Sequence, residues 1–395
     1  MTPAARIQAA IDVLDLVIAA ARDNGAAADR IVSEWFRTRR FAGSGDRRAV
    51  RELTYRAIRA CGEVPRDGRA ALLLLAATDP ALAGLFDGSP HAPAPILADE
   101  PVAMSGVAPQ WLEAALAQSD VAGEEAAALL ERAPLDIRVN TLKATRDTIA
   151  LPIAGEPTVA ANGLRLPFGT QVEQWEAYAD GLIEVQDSGS QLACAALAAM
   201  PGETVIDLCA GAGGKTLALA AAMDNRGALI ACDTDRGRLS RLAPRAERAG
   251  AAPIETILLN PGREMEALAR WQGAEKADAV LVDAPCSGTG TWRRNPEGRW
   301  RLNETQLQRY IALQARLLDL AAGLVREGGR LIYVTCSLLD GEGVGQVDSF
   351  LARHESWQAE PLSLGAGRLR GQGTRLTPGH DGTDGFFIAR LSHLC

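Results

Sequence analysis

This chain has no apolar run long enough to span a bilayer. Ala70–Ala77 falls well short of the ~20 residues a spanning helix requires. The apolar pattern near the N-terminus is broken by Asp12 and Asp15, which makes a poor signal peptide. Both features lead us to expect a cytoplasmic protein with no membrane partner. No Cys-x-x-Cys pair occurs among the seven cysteines, which are odd in number and widely spread. That pattern argues against a disulfide framework and against a zinc site, so no metal is expected. There is no low-complexity tract and no internal repeat. Lysine is scarce and nearly all the positive charge is Arg, the side chain suited to bidentate phosphate contacts and base stacking.

The chain's 395 residues, 47% hydrophobic and 23% charged, suffice for two or three domains with a large core. A net charge of −8 speaks against a nucleic-acid partner, but its distribution softens that reading. Residues 1–70 carry 13 Arg against 9 acidic residues, whereas residues 71–131 carry 9 acids and neither Lys nor Arg. The acidic segment therefore accounts for the whole net charge. Arg293, Arg294, Arg299 and Arg301 cluster near the chemistry-bearing motifs described below. The first three are expected to line an approach for a phosphate backbone.

Residues 3–62 read as three helices separated by Gly25 and by Gly43-Ser44-Gly45, with Ile7, Ile11, Leu14 and Ile18 at helical spacing. A Leu-rich helix near 71–77 follows, then a helical pair from Pro109 to Arg132 broken at Ser119-Asp120. From Leu135 the texture changes to alternation. A strand is expected at 136–141, and a hairpin with Asn162-Gly163 at its turn. Beyond residue 187, strands near 204–208, 228–233, 256–259, 278–283 and 330–335 alternate with helices near 189–199, 214–223, 236–249, 304–326 and 341–353. Such alternation predicts an α/β fold, a mostly parallel, doubly wound sheet covered on both faces. Phe386–Leu391 reads as a last strand. The expected domains are therefore helical (1–133), small mixed α/β (134–186) and catalytic (187–395).

Three motifs carry chemistry. In the first, a strand runs into Cys209-Ala210-Gly211-Ala212-Gly213-Gly214-Lys215 and then a helix. Glycines admit close backbone approach, and the helix start offers free amides. The spacing fits neither a P-loop nor a dinucleotide fingerprint. Asp233 ends the next strand, where a carboxylate can accept from ribose hydroxyls, and Asn260 ends the third, where an amide can read an adenine edge. Together these describe an adenosine pocket. The second motif is Asp283-Ala284-Pro285-Cys286-Ser287-Gly288 and the third is Tyr333-Val334-Thr335-Cys336-Ser337. Each delivers a thiol at the end of a buried strand, and a thiolate is the nucleophile suited to an electron-poor pyrimidine. Position alone leaves open which cysteine attacks. Cys61, Cys194, Cys232 and Cys395 read as packing or surface residues, and Lys215 as structural rather than a catalytic acid.

On these residues the chain resembles the RNA cytosine-5 methyltransferase family that includes the RsmB, Sun and Fmu proteins. The likeness runs from about residue 134 to 391. It rests on Arg138–Lys143, Val185–Ser190, the Gly-rich turn, Asp283–Gly290, Tyr333–Ser337 and Thr383–Arg390, in that order. The helical N-terminal region is similar in kind to the NusB-like, RNA-binding domain of RsmB proteins. The resemblance implies a Rossmann-like methyltransferase domain, S-adenosylmethionine as cofactor, held by residues 209–215, Asp233, Asn260 and Asp283, and cytosine in RNA as acceptor, 16S rRNA first and transfer RNA second. A monomer is expected. The resemblance also implies that Cys336 is the nucleophile, that Cys286 assists breakdown of the adduct, and that Asp283 binds or protonates ring nitrogen 3. The chain departs from the family at Gly211-Ala212, where Ala-Pro is usual, at Asn260, where Asp is frequent, and at Glu342-Gly343, where Glu-Asn is usual.

Overall fold

The computed structural model describes residues 1–269 and 276–395. They form two compact units. One comprises Met1–Arg132 with Thr291–Glu304, and the other Ala133–Gly290 with Thr305–Cys395. No helix among the described residues is long and apolar enough to cross a membrane.

The helical unit is built on α1 (Pro3–Arg22), α2 (Ala28–Arg37), α3 (Ser44–Ala60) and α4 (Gly68–Ala76). Thr2 caps α1 by accepting from the Ala5 amide at 3.1 Å, with Pro3 at the first helical position. The buried face of α1 holds Ile7, Ile11, Leu14 and Ile18, as their spacing predicts. They pack with Val32, Trp35, Ile58 and Leu72 in one core. The later helical pair forms over Gln110–Gln118 and Gly123–Ala128, with Asp120 in a left-handed conformation at the break.

The excursion Thr291–Glu304 belongs to this unit, and the reason is local. Trp300 is buried in the same core. Ala27 has no side chain to cap α2, so Glu297 accepts from the Ala28 amide at 2.8 Å instead. Arg299 is fully buried and donates to the carbonyls of Ile58 at 2.5 Å and Cys61 at 2.8 Å, as well as to that of Pro296. Arg301 donates to the carbonyls of Ala20, Gly25 and Ala26. This corrects the expectation that Arg293, Arg294 and Arg299 line an approach to the pocket. Arg293 and Arg299 are buried, and Arg299 and Arg301 spend their donors on backbone carbonyls. Of the three, Arg294 alone is exposed.

The second unit holds two sheets. The smaller is antiparallel and contains β1 (Leu135–Val139), β2 (Glu156–Pro157), β3 (Gly163–Leu166) and β4 (Ile183–Val185), in the order β2-β3-β1-β4. The larger contains β5 (Thr204–Asp207), β6 (Ala228–Asp233), β7 (Glu255–Leu258), β8 (Ala277–Asp283), β9 (Val325–Thr335), β10 (Trp357–Glu360), β11 (Arg368–Arg370), β12 (Gly373–Leu376) and β13 (Phe386–His393). Its order is β11-β12-β13-β9-β8-β5-β6-β7, with β10 on β13. Strands β9-β8-β5-β6-β7 are parallel, and β13 lies antiparallel on β9. Alternation along each strand feeds two cores. Val205, Ala231, Leu281 and Ile332 point to one face, while Ile206, Cys232, Val282 and Tyr333 point to the other. Fully burying each large side chain contributes about 2 kcal/mol.

Two details differ from the expected elements. The helix expected at 236–249 is two pieces, Arg236–Leu239 and Leu242–Ala249. Pro244 lacks an amide hydrogen and is accommodated in the first turn of the second piece. The turn-rich stretch before β13 contains three further strands, β10 to β12. The family landmarks prove to be mutual contacts. Arg138 Nε donates to Gln186 at 2.7 Å, and Asp187 accepts from the amides of Gly189 and Asp384. A Cβ at Gly290 would sit 2.2 Å from the Gly385 carbonyl oxygen, so the loop after Cys286 and the loop before β13 meet backbone to backbone.

Candidate active site

The parallel strands of the larger sheet run the same way, so Asp207, Asp233, Asp283 and Cys336 emerge at one edge. The order places β6 and β7 to one side of β5, and β8 and β9 to the other. That reversal opens a crevice at the carboxyl ends of the strands. A cavity of about 450 Å³ lies there, with Cys209, Asp233, Leu259, Asp283, Cys286 and Cys336 in its wall. Its volume falls in the range of ordinary small-ligand sites.

The Gly-rich turn is held in the conformation the glycines permit. Gly211 and Gly213 have φ of 56° and 86°, where a Cβ is strained. At Gly213 a Cβ would also strike the Leu242 side chain at 2.1 Å. The Ala210 amide donates to the Cys232 carbonyl at 2.8 Å, and the Ala212 carbonyl accepts from Arg245 at 2.6 Å. The turn leads into the helix Gly214–Ala222, whose first amides lack intrahelical acceptors. The space beside the Gly214 Cα is open. Asp233 is almost fully buried. Its Oδ2 accepts from the Gly211 amide at 2.7 Å and its Oδ1 from the Asp235 amide at 2.7 Å. Each oxygen keeps a second lone pair, the complement of a vicinal diol. Of the turn, Cys209 lines the cavity together with the buried diol acceptor Asp233, and that wall next to a Gly-rich turn fits an adenosine-bearing cofactor such as S-adenosylmethionine.

Cys286 and Cys336 are half-buried, and their sulfurs stand 3.4 Å apart, at hydrogen-bond distance. The thiol of Cys286 is pushed well above the usual thiol range, first by that hydrogen bond and then by burial. Lys215 Nζ donates to Asp283 Oδ2 at 2.6 Å. Burial works against the Lys215 ammonium, but the Asp283 carboxylate leads the contributions that raise its pKa on balance. Cys336 is near enough to Lys215 to interact with its charge. Cys209 lines the same cavity, whereas Cys61, Cys232 and Cys395 do not. Burial pushes Cys61 up to about 12 and Cys194 to about 11, and Cys395 lies exposed at the C-terminus.

Of the residues singled out from sequence, the structure brings Cys209, Asp233, Asp283, Cys286 and Cys336 into one cavity wall, with Lys215 bound to Asp283. Asn260 is exposed and does not line the cavity. Its neighbours Leu259 and Glu264 do, and Glu264 accepts from Arg316 at 2.6 Å. Arg238 stands 3.6 Å from Asp233 at the cavity wall. Glu264, Arg316 and Arg238 carry no sequence signal, because they come from helices whose facing only the folded sheet defines.

Fold and strand-end cavity are those of a Rossmann-like methyltransferase carrying a thiol pair. The family model described as 16S rRNA methyltransferase RsmB/F matches residues 194–392. The chain belongs to this family of S-adenosylmethionine-dependent methyltransferases. It is 39% identical over 233 residues to ribosomal RNA small subunit methyltransferase B of Xanthomonas campestris, covering 59% of this chain and 52% of that protein. With the protein of the same name from Xylella fastidiosa it shares 36% over 302 residues, 74% of this chain and 68% of that one. The chain thus spans little more than half the length of the Xanthomonas relative. The crystal structure of PH0851 superposes with a TM-score of 0.74 at 25% identity, covering 99% of both chains.

Proposed function

We propose that this protein methylates carbon 5 of a cytosine in small-subunit ribosomal RNA, through a covalent bond between Cys336 and the base. The observation that carries this is the thiol pair, 3.4 Å apart at the ends of β8 and β9 and in the same cavity as the buried Asp233. When bound, S-adenosylmethionine supplies an electrophilic methyl group. Asp233 and the turn 209–215 hold its adenosine end. Carbon 5 of cytosine is a poor nucleophile on its own. The Cys336 thiolate adds at carbon 6, and the electron pair of the 5,6 double bond makes carbon 5 reactive. Asp283, with one oxygen on Lys215, keeps acceptor capacity for a proton-bearing group on the base, such as protonated nitrogen 3. To finish, a base takes the proton from methylated carbon 5. The double bond re-forms, the carbon–sulfur bond breaks, and its pair returns to Cys336. Once Cys336 is bonded to the base, Cys286 gives its own proton to solvent; the resulting thiolate is that base, and it ends as the thiol. The target base is unstacked to reach the cavity.

The test is bisulfite sequencing of ribosomal RNA incubated with and without the protein and S-adenosylmethionine. One protected cytosine that depends on both supports the reading, and an unchanged pattern refutes it. The cofactor contacts are checked separately. Asp233→Ala should weaken S-adenosylmethionine binding by roughly 1–3 kcal/mol, the cost of leaving buried hydroxyls unpaired. Calorimetry that finds full affinity in a folded variant removes Asp233 from the site.

A further inference from the structure

The loops that carry the two thiols are joined by a buried carboxylate that the mechanism above does not use. Glu342 is fully buried in the short turn Asp340–Glu342 that follows the Cys336 loop. Its Oε1 accepts from the Ser287 amide at 2.9 Å and from Gln314 Nε2 at 2.9 Å, and its Oε2 accepts from the Ser287 hydroxyl. Gln314 is itself fully buried, and the same Nε2 also donates to the Pro285 carbonyl at 2.9 Å. Residues on both sides of Cys286 are thus tied to one carboxylate. At its other end the tether is fixed to β9, since Tyr333 donates its hydroxyl to the Glu342 carbonyl at 2.7 Å. Among the described residues, the groups that donate to the carboxylate are neutral.

We propose that Glu342 is the positioning residue for Cys286. Its buried carboxylate clamps the Pro285–Ser287 turn to the loop after β9 and so holds the Cys286 sulfur beside Cys336. This rests on the function proposed above and adds to it a residue that never touches substrate. A backbone hydrogen bond already stitches these loops further along, where the Gly290 amide donates to the Cys336 carbonyl at 2.9 Å. Removing Glu342 therefore frees the Cys286 turn without unlinking the strands. The carboxylate also acts through charge. Cys336, Glu342, Tyr310 and Tyr333 interact electrostatically with Cys286, and Asp283 and Arg316 share its cavity. Glu342 opposes ionisation of Cys286 and so helps keep it a thiol while Cys336 attacks.

The experiment follows adduct formation and adduct release separately, with an unmodified 16S rRNA transcript and S-adenosylmethionine. Glu342→Leu fills the site but accepts nothing. It should form the adduct within a few-fold of the native rate and release it roughly 100-fold more slowly, the cost of about 1 Å of misplacement. Its affinity for S-adenosylmethionine should be unchanged. Glu342→Gln keeps an acceptor for the Ser287 amide and should restore release to within about tenfold. Formation and release that fall together, or no change in either, overturn the proposal. A second readout needs no RNA. In Glu342→Gln the pH midpoint for iodoacetamide labelling of Cys286, read by peptide mapping, should fall by about one unit, because a like charge has gone. If no protein forms an adduct, the proposed function fails, and the labelling then decides the placement alone. A lowered midpoint supports it and an unmoved midpoint overturns it.

Discussion

Cys336→Ala should show no methylation and no covalent RNA species, while Cys286→Ala should accumulate one. The geometry makes the two outcomes unequal even though the sulfurs stand only 3.4 Å apart. Cys336 follows the last residue of β9 and lies within reach of the Lys215 charge. Cys286 has its pKa raised by its hydrogen bond with Cys336, by burial and by Glu342, which favours the thiol. In Cys286→Ala the addition at carbon 6 and the methyl transfer proceed, but no base removes the carbon 5 proton. The carbon–sulfur bond then persists. With S-adenosylmethionine present, a protein–RNA band should survive denaturing electrophoresis, and turnover should fall by roughly 10²–10⁴-fold, the usual worth of a positioned base. An adduct trapped in Cys336→Ala and lost in Cys286→Ala would move the nucleophile to the Pro-Cys motif. Full activity in both variants would make the thiols packing residues and end the mechanism.

Much of this site was legible in the chain because strand ends are legible. An apolar run followed at once by a single polar or thiol residue, as in Val280–Asp283 or Ile332–Cys336, predicts both the strand and the side chain it delivers. Parallel order then brings those ends together without further information. What the chain did not reveal are side chains whose role depends on where a helix or loop docks. Glu342 stands where the family has its usual Glu-Asn pair, but its role as a tether shows only when Ser287 and Gln314 are seen around it. The departures from the family pattern also acquire reasons in three dimensions. Ala212 replaces a proline, and Arg245 binds its carbonyl. Gly343 replaces an asparagine where a Cβ would meet the Phe387 ring at 2.8 Å. The helical unit was readable from the Ile7, Ile11, Leu14, Ile18 stripe. Its second segment, Thr291–Glu304, was not, because a short run of Arg and Trp carries no sign of the core it enters.

That segment supplies the other large effect. Arg299→Ala should destabilise the helical unit by about 3–5 kcal/mol, since several buried carbonyls lose their donor at once and each unmet group costs about 1–3 kcal/mol. Ile58 and Cys61 are at the end of α3, where the last carbonyls of a helix have no intrahelical partner. The guanidinium caps them from a segment more than two hundred residues away in sequence. Burying an arginine is costly in itself, and the fork of donors is what offsets that cost. Arg299→Lys keeps the charge but has a single ammonium to divide among these acceptors, so it should recover only part of the loss. Arg294→Ala, at an exposed position, should change stability by less than about 0.5 kcal/mol. Urea unfolding followed by tryptophan fluorescence separates these cases, because Trp35 and Trp300 lie in the core that Arg299 supports. Unfolding of Arg299→Ala at the native urea concentration, together with weakened RNA binding, would return this arginine to the surface role its sequence neighbourhood suggests. A large loss of stability makes it a capping residue of the helical core.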